Sequence, residues 1–294
     1  MTIQYKNYRV KPGKDINFSK IDTKAAYKKP GHEELQNLLQ DDTEKLAALQ
    51  YKLFAENRQA LLIILQGMDS AGKDSIIKYI ISGTNPQGVA VHSFKHPSDQ
   101  ELKHDYLWRH YQYLPEQGQV GIFNRSHYEN VLISKVHPEI VLAERIPGID
   151  SVGKVDKDFW AIRYRQINDF EKIITQNGTC ILKFFLHLSK GEQRKRFLER
   201  IENKEKHWKF ASADIVEREF WKRYQQVYEE AFKHTHTPNA PWYIIPADEK
   251  WFTRLLIGKI IREKLKSMDP RFPALDKDEA AYMKEAKEKL IKGK

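Results

Sequence analysis

A short apolar run, a glycine-rich loop and an amphipathic stretch follow one another in residues 61–75, which read LLIILQGMDSAGKDS. This segment contains the pattern G-x-x-x-x-G-K between a candidate strand and a candidate helix. In that setting the glycines let backbone N–H groups point inward, the lysine adds a mobile cation, and the helix presents its positive end to phosphate oxygens. The sequence therefore predicts a phosphate-binding loop formed by Gly67, Ala71, Gly72, Lys73 and Asp74.

The loop departs from its common form at one position. Asp74 stands where that form has a serine or threonine, whose hydroxyl binds Mg²⁺. Asp69, inside the loop, is then the best candidate to hold Mg²⁺ directly or through water, because this ion prefers oxygen ligands. We therefore expect Mg²⁺ as the cofactor and Asp69 as its protein ligand.

Composition and charge limit the class of protein. A chain of 294 residues that is 40% hydrophobic can bury a full core, as one large domain or as a domain with insertions. No apolar stretch approaches the ~20 residues of a membrane span, and the start lacks the apolar core of a signal peptide, so we expect a cytoplasmic protein. The net charge of +10 favours polyanionic partners. Charge alone leaves nucleic acid, membrane headgroups and inorganic phosphate chains open.

Several residues that often carry chemistry are better explained here by structure. The only cysteine, Cys180, excludes an internal disulfide, and its apolar surroundings favour packing over nucleophilic catalysis. His92 and His96 lie in a strand-to-loop stretch beside a proline, where a metal pair is not favoured. Four tryptophans at apolar positions favour core packing over base stacking: Trp160, Trp221, Trp242 and Trp251.

Strand and helix patterns alternate along the chain without an internal repeat. The predicted strands cover residues 60–65, 89–95, 119–124, 179–188 and 241–246. The predicted helices cover residues 32–57, the stretch from the loop to about 82, 98–113, 125–136, 156–176, 189–203, 212–234 and 250–266. This alternation, with a phosphate loop after the first strand, predicts a three-layer α/β fold with a parallel five-stranded sheet. Residues 1–30 suggest an extended arm, and residues 270–294 a solvated helix or frayed end.

The end of the third predicted strand is a second chemical landmark. In phosphate-loop enzymes a neighbouring strand often ends in an acid that holds Mg²⁺. Here that place carries Asn124, followed by Arg125 and by Glu129 four residues further on. A helix that starts at about Arg125 would put Glu129 one turn above it, facing the same cleft. The alternative is an ordinary surface pair of residues four apart.

Six stretches, read in order, resemble the polyphosphate kinase 2 family. They are GMDSAGKD at 67–74, NPQGV at 85–89, SFKHP at 93–97, HDYLWRH at 104–110, FNRSHYE at 123–129 and APWYIIPAD at 240–248. Asn124, His127 and Glu129 indicate the class III branch, whose members transfer phosphoryl groups between inorganic polyphosphate and nucleoside mono- or diphosphates. Ser75 departs from the glycine expected there. The resemblance implies a thymidylate-kinase-like fold with a mobile lid, and assembly into homodimers or homotetramers.

Phosphoryl transfer passes through a loose transition state, so catalysis depends on alignment and on converging positive charge. Lys73 and the loop amides are expected to hold donor phosphates, and Arg109 and Arg125 to clamp donor or acceptor oxygens. Asp69 is favoured as the Mg²⁺ ligand over a general base, because an acceptor phosphate is already largely deprotonated at neutral pH. Glu129 is expected to support Mg²⁺ or to orient the acceptor. The predicted catalytic residues are Asp69, Lys73, Asn124, Arg125 and Glu129.

The helix that starts after Ser189 is strongly charged. It can be a solvated face with Glu192–Arg196 and Glu202–Lys206 pairs. Phosphate-loop kinases commonly close a basic lid over the donor, however, so we also expect Arg196 and Arg200 to bind phosphate.

Three functions remain after this reading. The leading one is a Mg²⁺-dependent kinase that moves phosphate between polyphosphate and AMP, ADP or ATP, with no nucleic-acid or membrane partner. The second is an ATP-dependent kinase with the same fold, and the third is a nucleic-acid binder, for which no recognised module is present. The domain division that we predict is an arm and helix at 1–57, a kinase core at 58–267 with a lid at about 189–212, and a tail helix at 268–294.

Overall fold

Five strands form one parallel sheet in the computed structural model, which describes residues 3–11 and 15–293. The strands are β1 (Ala60–Gln66), β2 (Val89–Ser93), β3 (Val120–Asn124), β4 (Thr179–His187) and β5 (Trp242–Pro246). Their order in the sheet is β2-β3-β1-β4-β5. Since β3 and β4 lie on opposite sides of β1, the chain changes direction across the sheet there. A crevice for ligands forms at the carboxyl ends of the strands beside such a switch point.

Ten α-helices are present in the described ranges, together with short 3₁₀ turns. They are α1 (His32–Glu56), α2 (Lys73–Ile81), α3 (Trp108–Tyr111), α4 (Ile133–Val136), α5 (Lys157–Gln176), α6 (Lys190–Glu202), α7 (Ser212–Glu217), α8 (Trp221–Thr235), α9 (Lys250–Met268) and α10 (Lys277–Ile291). None of these helices combines the length and the apolar character needed to cross a membrane.

Helices cover both faces of the sheet. Alternate residues of β1 point to opposite faces, so Leu62 and Ile64 join the core formed with α5 and α8. Leu61 and Ile63 join the core formed with α1, α2 and α9. All seven residues of β1 are buried, as expected for a parallel strand covered on both sides. The predicted three-layer α/β fold with a five-stranded parallel sheet is confirmed.

Three predicted helices are wrong in part. The helix predicted over 98–113 is a 3₁₀ turn and the short α3, because the Asp105 carboxylate accepts a hydrogen bond from the Leu107 N–H (2.9 Å) and offers the backbone a turn instead. The helix predicted over 125–136 cannot start at Arg125, whose φ of 63° is left-handed. A 3₁₀ helix at His127–Val131 and α4 stand in its place. The helix predicted over 212–234 is interrupted by a 3₁₀ turn at Arg218–Phe220.

The two ends of the chain behave differently. The described part of the predicted arm packs on the body: the Val10 N–H donates to the Trp242 carbonyl (2.9 Å), and the buried Phe18 stacks on Phe185 with ring centroids 4.9 Å apart. Residues 1, 2, 12–14 and 294 lie outside the described residues. None of the residues of α10 is buried, which agrees with a solvated tail helix. The domain division stays a prediction.

Candidate functional site

The predicted phosphate loop lies at the carboxyl end of β1 and leads into α2. Gly67 has a φ of 153°, and a Cβ atom there would approach the Leu186 carbonyl oxygen to 3.1 Å, so any other residue would be strained at this position. Gly72 has a φ of 106°, which other residues rarely adopt. The Lys73 ammonium group folds back across the loop and donates a hydrogen bond to the Gly67 carbonyl (2.7 Å). Burial lowers the pKa of Lys73, and the nearby positive Arg125 adds to that effect.

Arg125 pairs with two carboxylates at the site. Its guanidinium lies 2.7 Å from a carboxylate oxygen of Asp69 and 3.7 Å from one of Glu129. Glu129 and Asp69 hold the pKa of Arg125 above its ordinary value, so the guanidinium stays charged. Arg125 and Glu129 therefore line one cavity, and the left-handed backbone of Arg125, not a helix, brings them together.

Asn124 and Asp74 link the end of β3 to the start of α2. The Asn124 amide donates to the Asp74 carboxylate (3.1 Å) and to the Ser93 hydroxyl (3.3 Å). The Lys209 ammonium group, from the segment after α6, lies 3.2 Å from the other Asp74 oxygen. Asp74, at the position of the usual hydroxyl residue, thus joins the loop to the segment that we predict to be a lid.

Arg196, a predicted phosphate ligand, is held by protein oxygens in this structure. Its side chain is only 6% exposed, and all five of its N–H groups are donated to protein oxygens. The acceptors are the Glu192 carboxylate and the carbonyls of Ser70, Ala71, Ala247 and Asp248. The sequence pattern could not reveal these carbonyls, because four of the five acceptors come from distant segments. Arg196 therefore supports the phosphate loop through its carbonyls, and phosphate binding by Arg196 stays a prediction.

Arg200 and Arg109 each pair with a carboxylate. Arg200 is half-buried and donates to the Lys209 carbonyl and to the Asp214 carboxylate, both at 3.3 Å. Arg109 pairs with Glu101 (3.1 Å), and burial lowers its pKa. Arg200 lines a cleft beside the loop, whereas Arg109 lines a neighbouring cavity. Phosphate binding by either residue stays a prediction.

Two cavities adjoin at Arg125. The first, of about 620 Å³, is open and basic. Its cationic side chains are Lys73, Lys95, Arg125, Arg196, Arg200, Lys206, Lys209 and Lys250. The second, of about 320 Å³, is more enclosed and includes Phe94, Leu102, Tyr106, Ile133 and Ile140 in its wall. Arg125, Phe94, Lys95 and His96 belong to both walls, so a group bound in one cavity can meet a group bound in the other.

Sequence reasoning missed Lys250 and Lys95. Lys250 starts α9 just after β5, and Lys95 follows β2, so both stand near the carboxyl edge of the sheet where the loop lies. That shared edge was the signal that could have found them. Cys180, in contrast, lines a cavity at the opposite, amino ends of β4 and β5.

The oxygens around the loop fit a magnesium ion that binds mainly to phosphates. The carboxylates of Asp69 and Asp74 line the first cavity, and the Asn124 Oδ1 atom is buried without a hydrogen-bond partner in the part of the chain that the structure describes. In those same residues, no three His, Cys, Asp or Glu side chains converge as metal ligands. Mg²⁺ is commonly bound by one or two carboxylates together with water and substrate phosphates, which this set can supply.

The parallel sheet, the glycine-rich loop at its switch point and the converging cations define a protein of the phosphate-loop kinase class. The profile described as "Polyphosphate kinase 2 (PPK2)" matches residues 28–273. The chain therefore belongs to the polyphosphate kinase 2 family, as its motifs predict.

Relatives cover almost the whole chain. A Rhodopseudomonas palustris protein named "ADP-polyphosphate phosphotransferase" is 44% identical over 292 residues, which are 99% of this chain and 100% of that protein. A Meiothermus ruber protein named "AMP/ADP-polyphosphate phosphotransferase" is 41% identical over 270 residues, covering 91% and 95% of the two chains. The crystal structure of polyphosphate kinase 2 from Arthrobacter aurescens TC1 is similar with a TM-score of 0.85 and 36% identity, covering 96% of this chain and 95% of that one.

Proposed function

We propose that this protein transfers the terminal phosphoryl group of inorganic polyphosphate to ADP and AMP, reversibly and with Mg²⁺, as a member of the class III branch. The names of the two relatives support the donor and the acceptors. The structural observation that carries the proposal is the pair of cavities that share Arg125, one basic and open, the other more enclosed and partly apolar.

The first cavity suits the donor. A phosphate chain carries a negative charge on each unit, and this cavity presents lysines and arginines from five separate segments of the chain. Its openness lets a long chain extend past the loop, whereas a site for one small phosphate would be closed. Lys73 and the loop amides hold the phosphates nearest the point of transfer.

The second cavity suits the acceptor nucleotide. Its apolar wall can pack against a base, and Arg109 and Arg125 stand ready to bind acceptor phosphates. In the reaction, an acceptor oxygen attacks the terminal phosphorus of the chain and the anhydride bond behind it breaks, so the shortened polyphosphate leaves with the bonding electron pair. Arg125, between the cavities, stabilises the charge on the transferred group. Because the acceptor phosphate is already largely deprotonated, no residue needs to act as a base.

Asp69 is the proposed protein ligand for Mg²⁺, with Asn124 and Glu129 in support. When bound, Mg²⁺ neutralises charge on the phosphate oxygens as the transfer proceeds. Asp69 already faces Arg125, so the carboxylate is held at the boundary between donor and acceptor.

Other parts of the proposal rest on the sequence and the family. We infer a cytoplasmic enzyme that forms a homodimer or homotetramer, with no nucleic-acid or membrane partner. The segment at about 189–212 acts as a lid. Arg196 anchors α6 to the loop, so the part of the lid that follows Arg196 is the part that moves. Arg200 lies in that part and binds the donor when the lid closes.

The test uses purified protein, Mg²⁺, long-chain polyphosphate and either ADP or AMP, with no ATP added. Formation of ATP from ADP, or of ADP from AMP, is the expected result. The Lys73→Ala variant serves as the control and should form neither. Absence of any transfer from polyphosphate, combined with transfer from ATP to another acceptor, would instead identify an ATP-dependent kinase.

A further inference from the structure

A charged cluster is buried at the centre of the molecule, behind the turn that carries Arg125. Lys183 on β4 and Glu171 on α5 are 0% and 1% exposed, and their charged groups lie 2.7 Å apart. The Tyr128 hydroxyl stands between them: it accepts from the Lys183 ammonium group (2.8 Å) and donates to the Glu171 carboxylate (2.7 Å). None of these three residues lines the donor or acceptor cavity.

Stability alone does not explain this cluster. Burying an ion pair adds little net stability compared with apolar side chains of similar volume. Burial lowers the pKa of Lys183, and the adjacent Glu171 opposes that effect. Burial raises the pKa of Tyr128 well above its ordinary value, so its hydroxyl keeps its proton and remains a donor.

The cluster fixes one end of a strained turn. Arg125 holds a left-handed φ of 63°, a conformation that persists where the surrounding structure determines it from several sides. On one side the Arg125 N–H donates to the Leu65 carbonyl of β1 (3.1 Å). On the other side the Ser126 hydroxyl accepts from the Tyr128 N–H (3.2 Å), and the Tyr128 side chain is anchored in the cluster.

We propose that Tyr128, held by Lys183 and Glu171, is a positioning residue that sets the direction of Arg125 between the two cavities. The inference rests on the proposed function. Glu129 belongs to the same turn, since its N–H donates to the Ser126 carbonyl (3.0 Å), so the cluster aligns both partners of the Arg125–Glu129 pair. Tyr128 acts through Arg125 and touches no substrate itself.

Tyr128→Phe tests this role, because it removes one hydroxyl and keeps the ring that packs against Trp242. The expected kcat for polyphosphate and ADP falls about ten- to hundredfold, the cost of a small misplacement of a catalytic group. Tyr79→Phe is the matched control: its hydroxyl donates to the buried Asp42 (2.7 Å), which is paired with Arg262 on the other face of the sheet. Tyr79→Phe should lower the melting temperature similarly and leave kcat unchanged.

The double variant separates positioning from general stability. If Tyr128 acts through Arg125, Tyr128→Phe lowers kcat in the native background but causes no further loss in the Arg125→Lys background. Ser126→Ala, which removes the cap of the same turn, should behave likewise and provides the test if Tyr128→Phe does not fold. Two outcomes overturn this inference alone. The first is a loss of kcat in the double variant equal to the product of the two single losses. The second is a Tyr128→Phe variant with full activity, when the wild-type protein is active. A wild-type protein that transfers nothing from polyphosphate contradicts the proposed function, and this inference falls with it.

Discussion

The Arg125 guanidinium and the Asp69 carboxylate form an ion pair, 2.7 Å apart, where the first cavity adjoins the second. The pair joins the phosphate loop, which follows β1, to the end of the neighbouring strand β3. The loop and β3 therefore present opposite charges to the same point. In the proposed reaction, the transferred phosphoryl group passes beside both side chains.

Asp69→Asn should lower kcat about 10²- to 10³-fold, on the scale of removing one preorganised electrostatic contact. Because we assign Asp69 to Mg²⁺ and not to proton transfer, the loss should hold at every pH, and the variant should need more Mg²⁺ for half-maximal rate. Initial rates measured across pH and Mg²⁺ concentration check this. Asp41→Asn, at an exposed position of α1, controls for the loss of one negative charge. A loss confined to low pH and rescued by alkaline buffer would favour a general base.

Arg196 and Arg200 lie one turn apart on α6, and their substitutions should have opposite signatures. Arg196→Lys cannot replace five hydrogen bonds in fixed directions, so we expect the free energy of unfolding to fall by about 2–4 kcal/mol. Arg200→Lys should leave that free energy nearly unchanged and raise the KM for polyphosphate. Urea unfolding and steady-state kinetics on both variants measure the difference. Equal effects on stability would contradict the support role of Arg196.

Local patterns predicted most of the sheet and the loop. The apolar run of β1 and the glycines at 67 and 72 lie within a few residues of one another, so one short stretch of sequence determines both the strand and the loop. The parallel arrangement of the strands could also be predicted, because a strand–helix alternation leaves few topologies. The resemblance of the motifs extended this to the family.

The remaining features depend on contacts between distant segments. Arg196 lies in a strongly charged stretch that is typical of a lid, and only the folded chain brings the Ser70 and Ala247 carbonyls to its guanidinium. Arg125 reads as the start of a helix, but tertiary contacts hold it in a left-handed conformation. Lys250 is separated from the loop by more than half of the chain. No periodicity or local spacing encodes such relationships.

His236 should make the fold sensitive to acid. Burial lowers the pKa of His236 to about 4 from an ordinary value of 6.5, and the nearby Lys183 and Arg9 add to this effect. The Nδ1 atom of His236 accepts a hydrogen bond from the backbone N–H of Trp242 (3.1 Å). Between pH 6.5 and about 4 the unfolded chain therefore binds a proton that the folded protein does not, and stability falls as the pH falls. After allowance for partial exposure, this loss amounts to about 1–2 kcal/mol.

His236→Asn tests that assignment, since its side-chain oxygen can still accept the Trp242 N–H. Urea unfolding gives the free energy of unfolding at neutral pH and near the lower end of the window. The difference between these two free energies should be smaller for the variant than for the native protein. His32→Asn, at an exposed position of α1, should leave the pH dependence unchanged. If His236→Asn retains the native pH dependence, another group causes the acid sensitivity.

Salt should weaken the capture of polyphosphate much more than that of ADP. A linear polyanion releases counterions in proportion to the cations that contact it, so the logarithm of KM should rise linearly with the logarithm of salt concentration. Lys250 lines the donor cleft, and burial beside Arg196 lowers its pKa. Lys250→Gln should therefore raise the KM for polyphosphate at low salt and reduce the slope of that plot by about one contact. Lys45→Gln removes the same charge from α1, where Lys45 is exposed and paired with Asp41, and should leave the slope unchanged. Equal slopes for both variants would mean that the net charge of +10, and not the cleft, attracts the polyanion.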